Sequence, residues 1–182
     1  ALLMPSLFFS AVWDYIITLP NTRFAAKDWV EENIPQNSKI LFLDITLILA
    51  VSRQGAQDLN KALVEVRPPN PRYLHLAENG QNVLPGYRVV SWGQFLDNPE
   101  YPEWSQFDYY VLSYTSEEQY QEKLALMPPL EKLELIHQIR PFDIPGIHRS
   151  FRDGRDNPFE YLKILKELKM VGPTIEIYKK SI

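Results

Sequence analysis

The hydrophobic pattern of the chain switches repeatedly between the spacing of helices and that of strands. A helical spacing of apolar residues, preceded by Asn21 or Thr22 as a cap, predicts a helix to about Glu32, and a second helix is expected over 54–66. Three apolar runs are typical of buried strands: 39–45, 87–92 and 107–113. Because helices and strands alternate, we expect an α/β fold with a mainly parallel sheet covered by helices, in a Rossmann-like layered architecture.

The signals in the second half of the chain are more varied. The proline-rich stretch 67–85 is expected to form a loop. Thr115 and Glu118 match a capping box, which predicts a helix after them, and a further helix is expected over 130–139. Residues 174–179 alternate polar and apolar, as a half-buried strand does.

The first nineteen residues form a nearly continuous apolar run. The run lacks the basic start of a signal peptide and contains Pro5 and Asp14. A bilayer span needs about 20 mostly apolar residues and tolerates a carboxylate poorly, so the run is a poor complete span. We expect it to be the end of a span or an amphipathic helix just outside one, with an ordinary core helix as the alternative. Because Ala1 is not an initiator methionine, we also expect a piece of a longer protein.

Composition limits the class of protein. The length of 182 residues suits one domain, and 45% hydrophobic and 13% aromatic residues argue against disorder. A net charge of -4 gives no reason to expect a nucleic-acid partner. The absence of cysteine excludes disulfides and thiolate metal sites.

The sequence contains no motif that indicates a catalytic centre. There is no glycine-rich phosphate loop, and the segment 44–52 after the first predicted strand has no glycine at all. We therefore expect no nucleotide cofactor. His75, His137 and His148 do not have the spacing of metal ligands, and a partly buried structural role is expected for His137 on its predicted helix. No catalytic residue and no metal ligand is predicted.

Two cationic features are candidates for anion contact. Arg23 lies in the first turn of a predicted helix, where the helix dipole disfavours a cation. It therefore needs either a carboxylate partner that ties the helix to the sheet or a phosphate. Arg149, Arg152 and Arg155 surround Phe151 in a segment that could contact an anionic sugar phosphate or a lipid headgroup. A solvated loop is the alternative for that segment.

Three short motifs, in this order, carry a resemblance to a known family. Residues 22–35 read TR-xx-A-xx-W-V-xx-NIP, residues 107–113 read FDYYVLS, and residues 172–178 read GPTIEIY. The chain resembles the C-terminal soluble domain of multi-pass membrane glycosyltransferases. The family is that of dolichyl-phosphate-mannose–protein mannosyltransferase-like proteins, which is related to the lipid A aminoarabinose transferases.

The resemblance implies a location and a role. Residues 1–19 would be an apolar lead-in that follows a membrane helix, and 20–182 a single α/β domain on the extracytoplasmic side of the cell membrane. The expected partners are the membrane portion of the same polypeptide and a polyprenyl-phosphate-linked sugar donor or an acceptor. The family's catalytic carboxylates lie in a loop after its first membrane helix, so none can be assigned to this sequence. The resemblance therefore implies an accessory role for this domain, which is expected to have no transferase activity in isolation.

Two further classes of function compete with this interpretation. A free-standing module for carbohydrate or another small ligand could stack sugar rings on exposed aromatic side chains, for which the candidates are Trp13, Trp92, Trp104 and Tyr101. A small hydrolase would instead need two carboxylates that converge in a cleft, and the sequence does not show which they would be.

Overall fold

A computed structural model describes residues 3–43, 47, 49–63, 71–79, 86–91, 106–142 and 166–181. These ranges contain five α-helices, which are α1 (Leu3–Thr18), α2 (Thr22–Asn33), α3 (Arg53–Leu63), α4 (Pro71–Asn79) and α5 (Glu117–Leu124). They also contain five strands, which are β1 (Lys39–Phe42), β2 (Arg88–Ser91), β3 (Tyr109–Tyr114), β4 (Leu133–Ile139) and β5 (Thr174–Lys180). A short 3₁₀ turn over Leu130–Lys132 precedes β4.

The five strands form one mixed sheet in the order β2-β1-β3-β5-β4. Strand β1 pairs in parallel with β2 and β3, whereas β5 is antiparallel to both β3 and β4. Strand β4 therefore runs in the same direction as β3, and β5 alone among the described strands runs the other way. The α/β class is confirmed, and the expected mainly parallel sheet is confirmed only in part: β2, β1 and β3 pair in parallel, whereas the antiparallel pairing of β5 makes the sheet mixed.

Apolar layers cover both faces of the sheet. On one face α2 packs through Ala26 and Val30. On the other face α3, α4 and α5 pack through side chains that include Leu59, Tyr73 and Tyr120. Since β5 lies between β3 and β4 under these layers, both of its faces are covered and residues 174–178 are all buried. The prediction that this strand is half-buried was wrong, because alternation in sequence does not show what covers the polar face.

Local capping signals predicted two helix starts. Asn21 caps α2, and its side-chain Oδ1 accepts a hydrogen bond from the backbone N–H of Arg23 at 2.9 Å. The start of α5 lies one residue later than expected. Its cap is Ser116, whose Oγ accepts from the N–H of Gln119 at 3.2 Å, while the Gln119 side chain reaches back to Thr115.

Two other predicted elements were wrong. The expected loop over 67–85 contains α4, which begins at Pro71, and the first helical position favours proline. The expected helix over 130–139 is instead β4, with a bulge between Leu135 and His137. The spacing of its leucines and isoleucines is compatible with either a helix or a strand. The segment forms a strand because it pairs with β5 along its length.

The beginning of α2 is joined to the segment that leads into β5. The N–H of Thr22 donates to the carbonyl of Val171 at 2.9 Å, and the N–H of Val171 donates to the carbonyl of Pro20 at 2.8 Å. Thr22 is fully buried there. Gly172 follows with a φ of 129°, and a Cβ at that position would lie 2.2 Å from Oγ1 of Thr22. Only glycine satisfies both the backbone conformation and the close approach.

Replacement of Gly172 should therefore destabilise the protein. We expect Gly172→Ala to lower the free energy of unfolding by about 1–3 kcal/mol, because both the positive φ and the contact with Thr22 oppose a Cβ. Urea unfolding monitored by circular dichroism measures the change. Ser181→Ala, at an exposed position beyond β5, is the control. Equal stability of the two variants would contradict the role given to Gly172.

Candidate functional site

The structure places one of the four predicted anion-contacting arginines. Arg23 is exposed in the first turn of α2. Neither of the two salt bridges within the described ranges, Lys27–Glu31 and Arg88–Asp58, includes it. Arg149, Arg152 and Arg155 lie outside the described residues. Contact with phosphate therefore stays a prediction for all four.

Exposed apolar side chains are concentrated near the amino end of the chain. In the part of the chain that the structure describes, eight large apolar side chains are exposed, and half of them lie between residues 13 and 24. These four, which we call the amino-terminal apolar surface, are Trp13, Tyr15 and Ile17 of α1 and Phe24 of α2, and Tyr15 lies about 200° around the axis of α1 from both Trp13 and Ile17.

The geometry of α1 explains this exposure. Val12 and Ile16, one turn apart, are buried in a small cluster with Phe142 and Leu168. Trp13 and Ile17 form the adjacent row and are 58% and 74% exposed. The apolar stripe of α1 is thus wider than the surface it packs against. Within the described residues, no helix is both long enough and apolar enough to cross a membrane.

The composition of the amino-terminal apolar surface is typical of a membrane interface. Tryptophan and tyrosine are enriched where a bilayer meets water, because their rings join an apolar body to a polar edge. Arg23 lies next to Phe24 in the chain and can reach a phosphate while its stem covers apolar surface. These exposed side chains are thus of the residue types that favour a boundary between lipid and water.

His137 has a structural environment. Its ring stacks on that of Trp29, with the ring centres 4.4 Å apart and the planes 1° from parallel. Burial lowers the pKa of His137, which favours the neutral ring. The stack joins α2 to β4, since His137 lies on that strand and not on the predicted helix.

Glu176 is the centre of a buried polar cluster that the sequence did not reveal. Its carboxylate accepts hydrogen bonds from the hydroxyl of Tyr114 at 2.9 Å, the hydroxyl of Tyr178 at 2.6 Å and Nε2 of Gln138 at 2.5 Å. The partners come from β3, β5 and β4, so the cluster exists only once the sheet has formed. The available signal was an acidic residue between isoleucines in a strand.

This cluster stabilises structure and does not offer a catalytic acid. Glu176 is only 4% exposed, and both of its oxygens already accept hydrogen bonds. It is the single buried acidic residue within the described ranges. Burial, together with the adjacent Glu176, raises the pKa values of Tyr114 and Tyr178 well above the usual range. The phenols therefore stay protonated and donate to the carboxylate.

The other candidates give no further site within the described ranges. Among the residues that the structure describes, no group of three acidic or histidine side chains could hold a metal ion. Of the four aromatic candidates for sugar stacking, Trp13 is exposed, whereas Trp92, Trp104 and Tyr101 lie outside the described residues. His148 also lies outside them, and His75 is exposed on α4.

Comparison with known proteins adds no family. No protein-family model matches the chain. Neither the curated proteins nor the solved structures provide a match. The function must therefore be argued from the residues.

The tyrosine cluster predicts loss of stability at alkaline pH. The unfolded chain releases phenolic protons near pH 10, whereas the folded protein retains those of Tyr114 and Tyr178 to higher pH. The free energy of unfolding should therefore fall as pH rises above about 10, by up to about 1.4 kcal/mol per pH unit for each such tyrosine.

A pair of variants tests this assignment. Tyr178→Phe should make the decline of stability between about pH 10.5 and 12 shallower by about 1.4 kcal/mol per pH unit. Tyr15→Phe, which removes an exposed phenol, is the control. Urea unfolding across this pH range measures the slopes. The same slope in both variants would show that Tyr178 is not held neutral by the fold.

Proposed function

We propose that the chain is the extracytoplasmic domain of a membrane glycosyltransferase that takes sugar from a polyprenyl-phosphate carrier. The domain has an accessory role, in which it either supports the membrane portion of the same polypeptide or contacts the acceptor or the lipid-linked donor. Two observations support the proposal. They are the ordered resemblance over 22–35, 107–113 and 172–178, and the amino-terminal apolar surface. The parallel unit β2-β1-β3 agrees with a Rossmann-like core, which is part of the proposal.

The amino-terminal apolar surface is the observation that carries the proposal. Burial of a large apolar side chain contributes about 1.5–3 kcal/mol, so the exposed pair Trp13 and Ile17, one turn apart on α1, favours contact with an apolar phase. A membrane supplies that phase without a second protein. On this account α1 lies along the interface, with Trp13 and Ile17 toward the lipid and Val12 and Ile16 toward the domain.

Arg23 and the three arginines at 149, 152 and 155 would then bind the same chemical group, the phosphate of a lipid. An arginine beside an interfacial aromatic residue lies at the depth of lipid phosphates, where a cation at a helix start finds the anion it requires. Arg149, Arg152 and Arg155 are proposed to contact the same class of group, the phosphate of a lipid-linked sugar. No step of the transfer reaction is assigned to these residues.

Binding to lipid vesicles tests the membrane contact. We expect the double variant Trp13→Ser, Ile17→Ser to bind vesicles of mixed phosphatidylcholine and phosphatidylglycerol at least about tenfold more weakly, because it removes exposed apolar area. Co-sedimentation at high salt, which screens charges, measures the apolar contribution. Leu135→Ser removes an exposed leucine from β4 and is the matched control. If the double variant and the control bind alike, the surface does not contact lipid.

The parent protein can be tested by reading its gene. We expect the coding sequence before Ala1 to specify several apolar spans and an acidic loop after the first of them. A start codon directly before Ala1 would contradict the proposal. If the spans are present, membranes that contain the full-length protein should transfer sugar from a polyprenyl-phosphate donor. Replacement of Arg149, Arg152 and Arg155 by alanine should reduce that transfer, and unchanged turnover and donor affinity would reject their role.

A further inference from the structure

A cationic cavity lies where β1 and β2 begin. Its volume is about 330 Å³, at the lower end of the range of about 300–1,000 Å³ for small-molecule sites. Three cations and one carboxylate line it, and the cations are Lys39, Lys61 and Arg88. The carboxylate is that of Asp58. In a protein of net charge -4, this local excess of positive charge is unexpected.

The backbone register forces two of the cations together. Lys39 and Arg88 are direct partners on the parallel strands β1 and β2, and their side chains line the same cavity. Like charges opposite each other destabilise a sheet. Asp58 on α3 offsets only part of this repulsion, through a salt bridge of 2.5 Å with Arg88. Lys61, three residues after Asp58 on the same helix, adds a further cation.

The position of α3 depends on a close approach to β2. A Cβ at Gly55 would lie 2.8 Å from the carbonyl oxygen of Tyr87 and 2.9 Å from Cα of Arg88, so glycine allows the helix to approach the strand. Ser52 Oγ accepts a hydrogen bond from the N–H of Gly55 at 3.1 Å and fixes the helix start. The fold thus holds Lys61 over the cavity through backbone contacts.

The chemistry of the cavity suits a phosphate group. Two of the guanidinium nitrogens of Arg88 face Asp58, so further N–H donors of the fork remain for an anion. Two lysines supply compact charges, which bind phosphate readily. The buried side chains of Val90 and Phe107 form an apolar part of the lining, where reduced hydration strengthens charge-assisted hydrogen bonds. Asp108 lies beside the cavity, and its carboxylate accepts the backbone N–H of Lys39 at 2.9 Å.

We propose that this cavity binds a phosphate-bearing ligand through Lys39, Lys61 and Arg88. The site is separate from the amino-terminal apolar surface and goes beyond the function proposed above. Thr174, the first residue of β5, pairs with Tyr114 at the carboxyl end of β3. Gly172 lies two residues before Thr174 and contacts Thr22, so α2 begins near the carboxyl end of β3. The cavity is at the amino ends of β1 and β2, on the opposite edge of the sheet. This placement favours a soluble phosphate ester over a headgroup of the contacted membrane.

Titration of the full chain tests the site. Inorganic phosphate is added at constant ionic strength, and amide shifts of Lys39, Lys61 and Arg88 are followed by nuclear magnetic resonance. We expect these shifts to saturate. Lys39→Gln and Lys61→Gln should each weaken binding by about tenfold, as expected for loss of one charge-assisted hydrogen bond. Lys132→Gln is the control, because it makes the same charge change at an exposed position before β4.

A second experiment distinguishes a soluble phosphate ester from a lipid headgroup as the ligand. The same variants are added to vesicles of phosphatidylglycerol and, for comparison, of phosphatidylcholine. Saturation by inorganic phosphate with no effect of Lys61→Gln on vesicle binding identifies a soluble ligand. Selective loss of phosphatidylglycerol binding in Lys61→Gln identifies a lipid headgroup. The proposal is overturned if neither probe produces saturating shifts at the cavity, or if Lys39→Gln and Lys61→Gln behave like Lys132→Gln.

Discussion

The close contact between Gly172 and Thr22 is the constraint on which the arrangement of the domain depends. It joins the start of α2 to the segment entering β5, through two backbone hydrogen bonds at Val171 and a glycine that leaves room for a buried threonine. Since β5 lies between β3 and β4, the contact also ties the start of α2 to the strand that joins them. The motifs at 22–35 and 172–178 begin 150 residues apart in the chain and are therefore in direct contact in the fold.

Features determined by neighbouring residues were predictable from the sequence, and features determined by pairing were not. The cap at Asn21 and the buried strand around Tyr110 need only local chemistry and a run of apolar residues. Strand β4 was mistaken for a helix because its pattern fits either period and β5, some forty residues later, decides. The cluster around Glu176 and the cavity at Lys39 combine side chains from separate helices and strands, so no spacing of residues along the sequence could predict them.

The distribution of polarity gives the domain two different edges. On α1 and in the first turn of α2, apolar side chains such as Trp13 and Phe24 remain exposed to solvent. At the opposite edge of the sheet, cations gather over a cavity. The free energy of apolar contact grows with the area that is buried. Clustered cations instead make binding specific for ligands that carry negative charge. The proposed membrane contact and the proposed phosphate site would therefore lie at opposite ends of the strands of the sheet.

The depth of Ile17 in a bilayer distinguishes contact of α1 with lipid from simple exposure to water. Because the chain has no cysteine, Ile17→Cys and, separately, Leu135→Cys each give a single site for a nitroxide label. Electron paramagnetic resonance on vesicles then compares collisions with oxygen, which concentrates in lipid, and with a water-soluble nickel complex. If α1 lies in the membrane interface, oxygen collisions prevail at residue 17 and nickel collisions at residue 135. Equal, water-like exposure at both sites in the presence of vesicles would contradict that placement.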